Sequence, residues 1–227
     1  LPLAEEASKR RQIFIQNVSR QFTTPINIIE GLTRVLVNNI AAKQKGKTAK
    51  KQQDKDIDEI SATLKHQSHQ LHRNTLMLFD SSDMGAANSA RYEKTDDVRC
   101  NELARECIDY ALKLFDIDDI QFETELPDDF SIRSNHLYMM RTIKELLYNA
   151  AKFSDGQHIS IRIKQTETTI RFIIEDVGPE MPKNAEEMIF VPFTKTDDLA
   201  EGLGLGLSLC KRHITSLGGD LIYDENY

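Results

Sequence analysis

The first half of the chain carries a long apolar stripe at helical spacing, and this stripe limits the fold more than any other feature. Its members recur every three or four residues from Phe14 to Ile40, as they would along one face of a long α-helix. After the polar, lysine-rich residues 41–56, a second stripe runs from Ile57 to Leu78. The pattern predicts two long antiparallel helices. Such a hairpin is too thin to bury both stripes alone, so we expect two copies to form a dimeric four-helix bundle.

From about Val98 onwards, short strand-like segments alternate with helix-like segments. One helix is predicted around residues 103–114 and a second over 139–153. Two later strands place apolar residues at every second position, namely Ile159, Ile161 and Ile163 in one strand and Ile170, Phe172 and Ile174 in the other. This order predicts an α/β sandwich with helices packed on one face of a mixed sheet. The fold class is therefore α+β, with a helical hairpin over residues 1–85, a linker over 86–97 and a second domain over 98–227.

Composition excludes several kinds of partner. The chain has 36 acidic and 29 basic residues and no long basic cluster, which argues against a nucleic-acid backbone or a membrane surface as its target. No apolar run approaches the roughly 20 residues of a membrane-spanning helix. The three cysteines, Cys100, Cys107 and Cys210, have neither zinc-ligand nor redox spacing. We expect them to pack in the core of a protein from a reducing compartment.

One helix of the second half carries polar groups suited to a nucleotide. Glu145, Asn149 and Lys152 follow one another at spacings of four and three, so they share a helix face. An amide oxygen can bind a hard cation, a lysine can bind phosphate, and a carboxylate can accept a proton, which makes Glu145 a candidate base. Taken alone, these three residues fit an ordinary polar helix surface equally well.

Two glycine-containing motifs follow this helix. Asp176 ends an apolar strand just before Gly178, so its carboxylate could accept a hydrogen bond from a ligand base while glycine lets the backbone come close. Further on, Gly202, Gly204 and Gly206 alternate with leucines just before a predicted helix. Exposed backbone N–H groups at the start of a helix favour a bound anion, so phosphate is the expected ligand.

Four segments of the second half resemble, in the same order, the nucleotide-binding boxes of sensor histidine kinases, which carry a Bergerat-type ATP-binding domain. The segments are ELLYNAAKF, DVG, FVPF and GLGLGLSLCKRHITSLGGDL. The upstream ASKRRQIFIQNVSRQFTTPINIIEG is similar to the dimerisation and phosphoacceptor segment of the same family, so the resemblance spans nearly the whole chain.

This resemblance implies ATP and Mg²⁺ as cofactors. By it, Asn149 would hold Mg²⁺, Lys152 would assist with phosphate, and Asp176 would bind the adenine amino group. The glycines at 202, 204 and 206 would wrap the phosphates, and Phe190 and Phe193 would belong to the lid segment. It also implies a homodimer, a response-regulator receiver domain as partner, and a place in the cytoplasmic portion of a protein anchored in the bacterial inner membrane through regions outside this chain.

The sequence departs from the family where a phosphoacceptor histidine would stand. That position holds Arg20, and the neighbouring acid is replaced by Gln21. A guanidinium stays protonated and has no lone pair to attack a phosphate, and a glutamine cannot act as a base. Position 20 is expected to face away from the apolar stripe. The family carries a second glycine two residues after Gly178, and this chain has Glu180 there. The strand that closes such domains is expected to be missing at the C-terminus.

Three functions stay open at this point. The chain could be a divergent kinase core that binds ATP without self-phosphorylation at position 20, a pseudokinase scaffold that transmits conformational change without nucleotide chemistry, or a plain ATPase. Whether it is a phosphotransferase is therefore not decided. His66, His69 and His72 on the second helix are weak alternatives for a phosphate acceptor or a metal site, because exposed helix faces collect polar residues. His66 and His69 are expected to face outward.

Overall fold

The structure is a computed structural model that describes residues 2–44, 50–82, 89–179, 188–194 and 202–224. The chain divides into two compact units, one built on a helical hairpin and one built on two small sheets with their helices. The predicted α+β class is confirmed. The hairpin turn at residues 45–49 and residues 83–88, which include the first three residues of the predicted linker, lie outside the described residues.

The first unit contains the two predicted helices, α1 (Pro2–Gln44) and α2 (Lys50–Ser82). Most members of the predicted stripes, including Phe14, Val18 and Leu64, are only half-buried in the single chain. Ile26 is 49% exposed, although it belongs to the α1 stripe. A two-helix hairpin has too little cross-section to enclose all its apolar side chains, and this explains the partial burial.

The second unit opens with a short 3₁₀ helix, Ser89–Tyr92. Five strands and three helices follow in the described residues. In chain order they are β1 (Asp96–Arg99), α3 (Cys100–Phe115), β2 (Gln121–Thr124), β3 (Ser131–Ser134), α4 (His136–Phe153), β4 (Ser160–Gln165), β5 (Ile170–Glu175) and α5 (Gly206–Ser216). Each strand and helix predicted from periodicity is present, and α4 begins at His136, three residues before the predicted start.

The described strands form two small sheets. Antiparallel β1 and β3 pair with Val98 opposite Ile132. The other sheet has the order β2-β4-β5, with β2 parallel to β4 and β4 antiparallel to β5. Ile161 of β4 lies opposite Ile174 of β5, so the isoleucines at alternate positions share one face of the sheet.

The core of the second unit lies between this sheet face and helices α3 and α4. Ile159, Ile161 and Ile163 are almost fully buried and pack with Leu103 and Leu147 of the two helices. Alternate side chains of β4, such as Arg162, stay half-exposed on the opposite face. The predicted arrangement of helices on one face of a mixed sheet is therefore confirmed.

Residues 89–97, which the sequence assigned to the linker, are built into the second unit. Tyr92 stacks on Tyr138 of α4 with ring centroids 4.5 Å apart. The Asn135 side chain donates hydrogen bonds to the carbonyls of Arg91 and Glu93, each at 3.1 Å. The chain is thus fixed to the second unit from the 3₁₀ helix onwards.

The expectation that the three cysteines pack in the core agrees with the structure. Cys100, Cys107 and Cys210 are free thiols buried in the second unit. Burial raises the pKa of the Cys100 thiol to about 11 and that of Cys107 to about 12, so both stay protonated at neutral pH. Within the described ranges, no helix is long and apolar enough to cross a bilayer.

Candidate functional site

The turn after β5 places Asp176 against the end of α4. Asp176 is exposed, and its Oδ1 accepts a hydrogen bond from the backbone N–H of Gly178 at 2.7 Å. A Cβ on Gly178 would lie 2.6 Å from that oxygen and 3.3 Å from the carbonyl oxygen of Phe153, the last residue of α4. Glycine at 178 therefore lets the turn lie this close to α4 without displacing the Asp176 carboxylate, which the hydrogen bond from Gly178 orients.

The three polar residues predicted on one helix face all lie on α4. Glu145 is buried at 8% exposure, whereas Asn149 and Lys152 are half-buried. The Lys152 ammonium lies 5.5 Å from the centre of the Phe153 ring. Asn149 and Lys152 stand in the last turns of α4, and the Asp176–Gly178 turn packs on the same end of this helix. The Asp176–Gly178 turn therefore lies at the end of α4 that carries Asn149 and Lys152.

Phe193 and Gly204, which lie on either side of residues 195–201 in the sequence, are joined by a backbone hydrogen bond. The N–H of Phe193 donates to the carbonyl of Gly204 at 2.7 Å. Gly204 has φ +68°, and a Cβ there would lie 2.8 Å from the Thr194 carbonyl oxygen. Both the left-handed backbone and the close approach require glycine at this position. Phe193 itself is exposed and also has a positive φ of 67°.

Gly206 needs to be glycine for another reason. It is the first residue of α5 and keeps a negative φ, so backbone freedom does not explain it. A Cβ on Gly206 would collide with the Oε1 atom of Glu145 and lie 3.0 Å from Glu145 Cδ. The sequence predicted the glycines as a phosphate-binding loop before the helix, but Gly206 already belongs to the helix and lies against a buried carboxylate.

Helix α5 also contacts Phe190, the first phenylalanine of the FVPF segment. The Lys211 ammonium lies 5.2 Å from the centre of the Phe190 ring. The same nitrogen donates hydrogen bonds to Asp220 Oδ1 at 2.5 Å and to the Leu221 carbonyl at 2.7 Å. Lys211 therefore joins the FVPF segment to the residues that follow α5, a role that the sequence reading did not find.

In the hairpin, the two substituted positions differ in burial. Arg20 is exposed, as the helical period predicted, whereas Gln21 is only 7% exposed. The Gln21 Oε1 atom accepts a hydrogen bond from the N–H of Gly202 at 3.0 Å, and Gly202 belongs to the same compact unit as the hairpin. Gly202 has φ +113°, a conformation that favours glycine.

A proline inside α1 explains a second contact of Gln21. Pro25 lacks a backbone N–H, so the Gln21 carbonyl four residues earlier loses its helical partner. Asn74 of α2 is fully buried, and its Nδ2 donates a hydrogen bond to that carbonyl at 3.3 Å. The sequence reading missed Asn74. The signal for it was a mid-helix proline, which predicts a donor on the facing helix.

The clustered histidines do not form a metal site. The expectation that His66 and His69 face outward is wrong, because both are half-buried, while His72 is exposed. Burial, followed by the nearby Lys65, lowers the pKa of His69. No group of three or more metal-ligating His, Cys, Asp or Glu side chains occurs among the described residues. Glu180, the substituted glycine of the DVG motif, lies outside them.

His213 of α5 is a buried ring in the core of the second unit. Its centroid lies 4.8 Å from that of Tyr138 and 6.0 Å from that of Tyr92. Burial, together with the positive charges of Arg212 and Arg141, lowers the pKa of His213 to about 3. The ring is therefore neutral at physiological pH and packs as an aromatic residue.

Comparison with protein families gives one match to the second half of the chain. Residues 134–227 match the family described as histidine kinase-, DNA gyrase B-, and HSP90-like ATPase. The heme sensor protein HssS of Staphylococcus haemolyticus is 26% identical over 213 residues, covering 92% of this chain and 43% of HssS. The aerobic respiration control sensor protein ArcB of Escherichia coli is 23% identical over 235 residues, covering 96% of this chain and 27% of ArcB. The chain spans less than half the length of these curated relatives.

Several solved structures have a fold similar to that of this chain. A mycobacterial sensor histidine kinase, MprB, aligns with a TM-score of 0.50 at 25% identity, covering 57% of this chain and 84% of that chain. The Acinetobacter baumannii histidine kinase AdeS has a TM-score of 0.55 and 17% identity, with 91% of each chain covered. The histidine kinase ThkA, solved with the response regulator TrrA, has a TM-score of 0.53 and 22% identity, covering all of this chain and 64% of that chain.

Proposed function

We propose that this chain, which has the organisation of a sensor histidine kinase core with a helical hairpin followed by an ATPase domain, binds ATP with Mg²⁺ and does not phosphorylate itself at position 20. The proposal rests mainly on the turn after β5. There Gly178 fixes the Asp176 carboxylate beside the end of α4, where Asn149 and Lys152 stand. A fixed and exposed carboxylate can accept a hydrogen bond from the amino group of adenine.

The residues around this turn suit a magnesium nucleotide. Asn149 offers an amide oxygen, a ligand that Mg²⁺ accepts, and Lys152 offers a cation to a phosphate. Gly178 and Gly204 occupy positions where a side chain would fill the space beside the backbone. In this proposal the glycines at 202, 204 and 206 bind the phosphates, and Phe190 and Phe193 flank the nucleotide.

The acceptor position argues against ordinary self-phosphorylation. Arg20 is exposed on α1, so it is accessible, but its guanidinium carries no lone pair that could attack a γ-phosphate. Gln21 beside it is buried and cannot accept a proton as a carboxylate would. These two residues favour a second candidate function, a scaffold that passes conformational change through the hairpin without nucleotide chemistry.

The hairpin supplies a surface for a second copy of the chain. Four large apolar residues on one side of α1 are exposed in the single chain: Ile15, Ile26, Val37 and Ile40. A second hairpin could cover them by forming a four-helix bundle. In this proposal the dimer also binds a response-regulator receiver domain, and the protein works on the cytoplasmic side of a bacterial inner membrane. Sedimentation at micromolar concentration tests the dimer, which a purely monomeric species would exclude.

Calorimetry with MgATP tests nucleotide binding. The parent protein should release heat and bind saturably, and Asp176→Asn should weaken binding by about 1–3 kcal/mol, because the amide meets the adenine amino group with a poorly matched partner. Asp119→Asn, an exposed acid before β2, is the matched control and should bind like the parent. If the parent protein shows no heat of binding at millimolar nucleotide, the result favours the scaffold function over nucleotide binding.

A further inference from the structure

Three aromatic rings join the first residues of the second unit to two of its helices. The Tyr92 ring centroid lies 4.5 Å from that of Tyr138 on α4 and 6.0 Å from that of His213 on α5. The Tyr138 and His213 centroids are 4.8 Å apart, and both of these rings are buried, whereas Tyr92 is half-buried. We call Tyr92, Tyr138 and His213 the aromatic cluster. Tyr92 is the member of this cluster that lies outside the two helices, and it contacts both of them.

Helices α4 and α5 run antiparallel, with the aromatic cluster at one end of their contact. At the other end, Glu145 lies against Gly206. Between the two ends, the Cys210 Sγ atom lies 3.9 Å from the Thr142 carbonyl oxygen. Seven positions along α4 separate Tyr138 from Glu145, so the two ends of the contact are about 10 Å apart.

Hydrogen bonds hold the segment that carries Tyr92 to the start of α4. The Asn135 side chain donates to two carbonyls of this segment and accepts a hydrogen bond from the N–H of Tyr138 at 3.3 Å. The Asp96 carboxylate accepts a hydrogen bond from the N–H of His136 at 2.8 Å. These bonds satisfy two of the N–H groups that a helix start leaves without a partner inside the helix. Residues 89–97 are therefore held at the start of α4, and Tyr92 extends this connection to α5.

We infer that Tyr92 is a positioning residue, which holds α4 and α5 together at their aromatic end and so keeps the opposite end of their contact closed. The inference rests on the proposed function, because α4 carries Asn149 and Lys152 and α5 begins at Gly206. Stacked rings attract each other, and loss of one ring leaves less packed surface at that end, so the contact opens more often. Residues 89–97 follow the hairpin in the chain, so a displacement of this segment would reach both helices through Tyr92.

Two buried cysteines report the helix contacts separately. Cys210 lies at the contact of α5 with α4, whereas the Cys107 Sγ atom of α3 lies 3.9 Å from the Met140 carbonyl oxygen of α4. A buried thiol reacts with a labelling reagent only when its contact opens. In Tyr92→Ala, labelling followed by peptide mass spectrometry should show Cys210 reacting about tenfold faster than in the parent, with a much smaller change at Cys107. Equal acceleration of both thiols, or an unchanged rate at Cys210, overturns the inference.

Two further variants control this measurement. Tyr92→Phe keeps the ring and should react like the parent. Tyr110→Ala is the matched control, because it truncates a half-buried tyrosine of α3 whose ring centre lies 4.8 Å from the Lys144 ammonium, and it should leave the Cys210 rate unchanged. If Tyr92→Ala loses its helical circular dichroism, Tyr92→Leu, which keeps apolar bulk without an aromatic face, takes its place with the same expected selectivity.

Calorimetry with MgATP measures whether the effect reaches the proposed nucleotide site. Tyr92→Ala should bind about fivefold or more weakly than the parent, and Tyr92→Phe should keep the parent's affinity. Selective labelling of Cys210 with an unchanged affinity refutes the coupling to the site. If the parent itself binds no nucleotide, the proposed function fails, and the labelling rates alone decide whether Tyr92 holds the two helices together.

Discussion

The hydrogen bond between the hairpin helices at Pro25 can be tested by removing its donor. Asn74 is fully buried and donates to the Gln21 carbonyl that Pro25 leaves without a helical partner. Replacing Asn74 by leucine leaves this carbonyl buried and unpaired. The loss of such a partner costs about 1–3 kcal/mol. The Oδ1 of Asn74 has no hydrogen-bond partner among the described residues, so its removal offsets part of this cost.

We therefore expect Asn74→Leu to lower the stability of the hairpin by about 1–2 kcal/mol. For a chain of this length, such a loss corresponds to roughly 2–8 °C in the thermal midpoint. Asn74→Asp should destabilise the hairpin more than Asn74→Leu does, although aspartate has the same shape as asparagine. An ionised carboxylate cannot donate a hydrogen bond and would face the Gln21 carbonyl oxygen. The stability of both variants is measured by urea unfolding at fixed protein concentration, followed by the helical circular dichroism signal.

The role of Pro25 is isolated by a double-mutant cycle. Pro25→Ala returns an N–H to α1, and this group can bond the Gln21 carbonyl within the helix. In that background Asn74→Leu should cost little, which gives a coupling energy of about 0.5–2 kcal/mol between the two sites. Asn27→Leu, at an exposed asparagine of α1, is the control for the change in side chain. If Asn74→Leu costs the same with proline and with alanine at 25, the Asn74 amide does not serve the freed carbonyl.

Two further predictions concern His213 and the acceptor position. Because the pKa of His213 is about 3 in the folded state and 6.5 in the unfolded state, only the unfolded state binds a proton between these values, and stability falls as pH decreases below 6.5. At pH 5 the free energy of unfolding should be about 2 kcal/mol lower than at pH 7. Urea unfolding of His213→Phe should lack this part of the pH dependence. Identical pH profiles for the parent and the variant would refute the burial of a neutral ring. Arg20→His with Gln21→Glu should give an acid-labile label from ATP, and Arg20→His alone should be slower by roughly 10²–10⁴. An unlabelled double variant that still binds ATP would place the defect elsewhere.

The sequence predicted the order of helices and strands because the apolar period changes clearly between the two halves. In β4 and the residue before it, the isoleucines at 159, 161 and 163 alternate with polar residues, and each is buried as the period of two requires. In the hairpin the same kind of argument placed Arg20 on the exposed side correctly. It did not predict that Gln21 is buried, because periodicity treats a polar residue next to the stripe as a surface residue.

The contacts that the sequence could not supply are those between residues far apart in the chain. Glu145 and Gly206 are each readable alone, one as a polar helix residue and the other as part of a glycine repeat. That Gly206 must lack a side chain because Glu145 fills the space depends on how α4 packs along α5, and no local pattern encodes that distance. The same holds for Asn74, whose partner is a carbonyl 53 residues away. A proline in the middle of a helix therefore does more than predict a bend. It identifies the carbonyl that needs a hydrogen-bond donor, and this indicates where on the facing helix a buried amide should be sought.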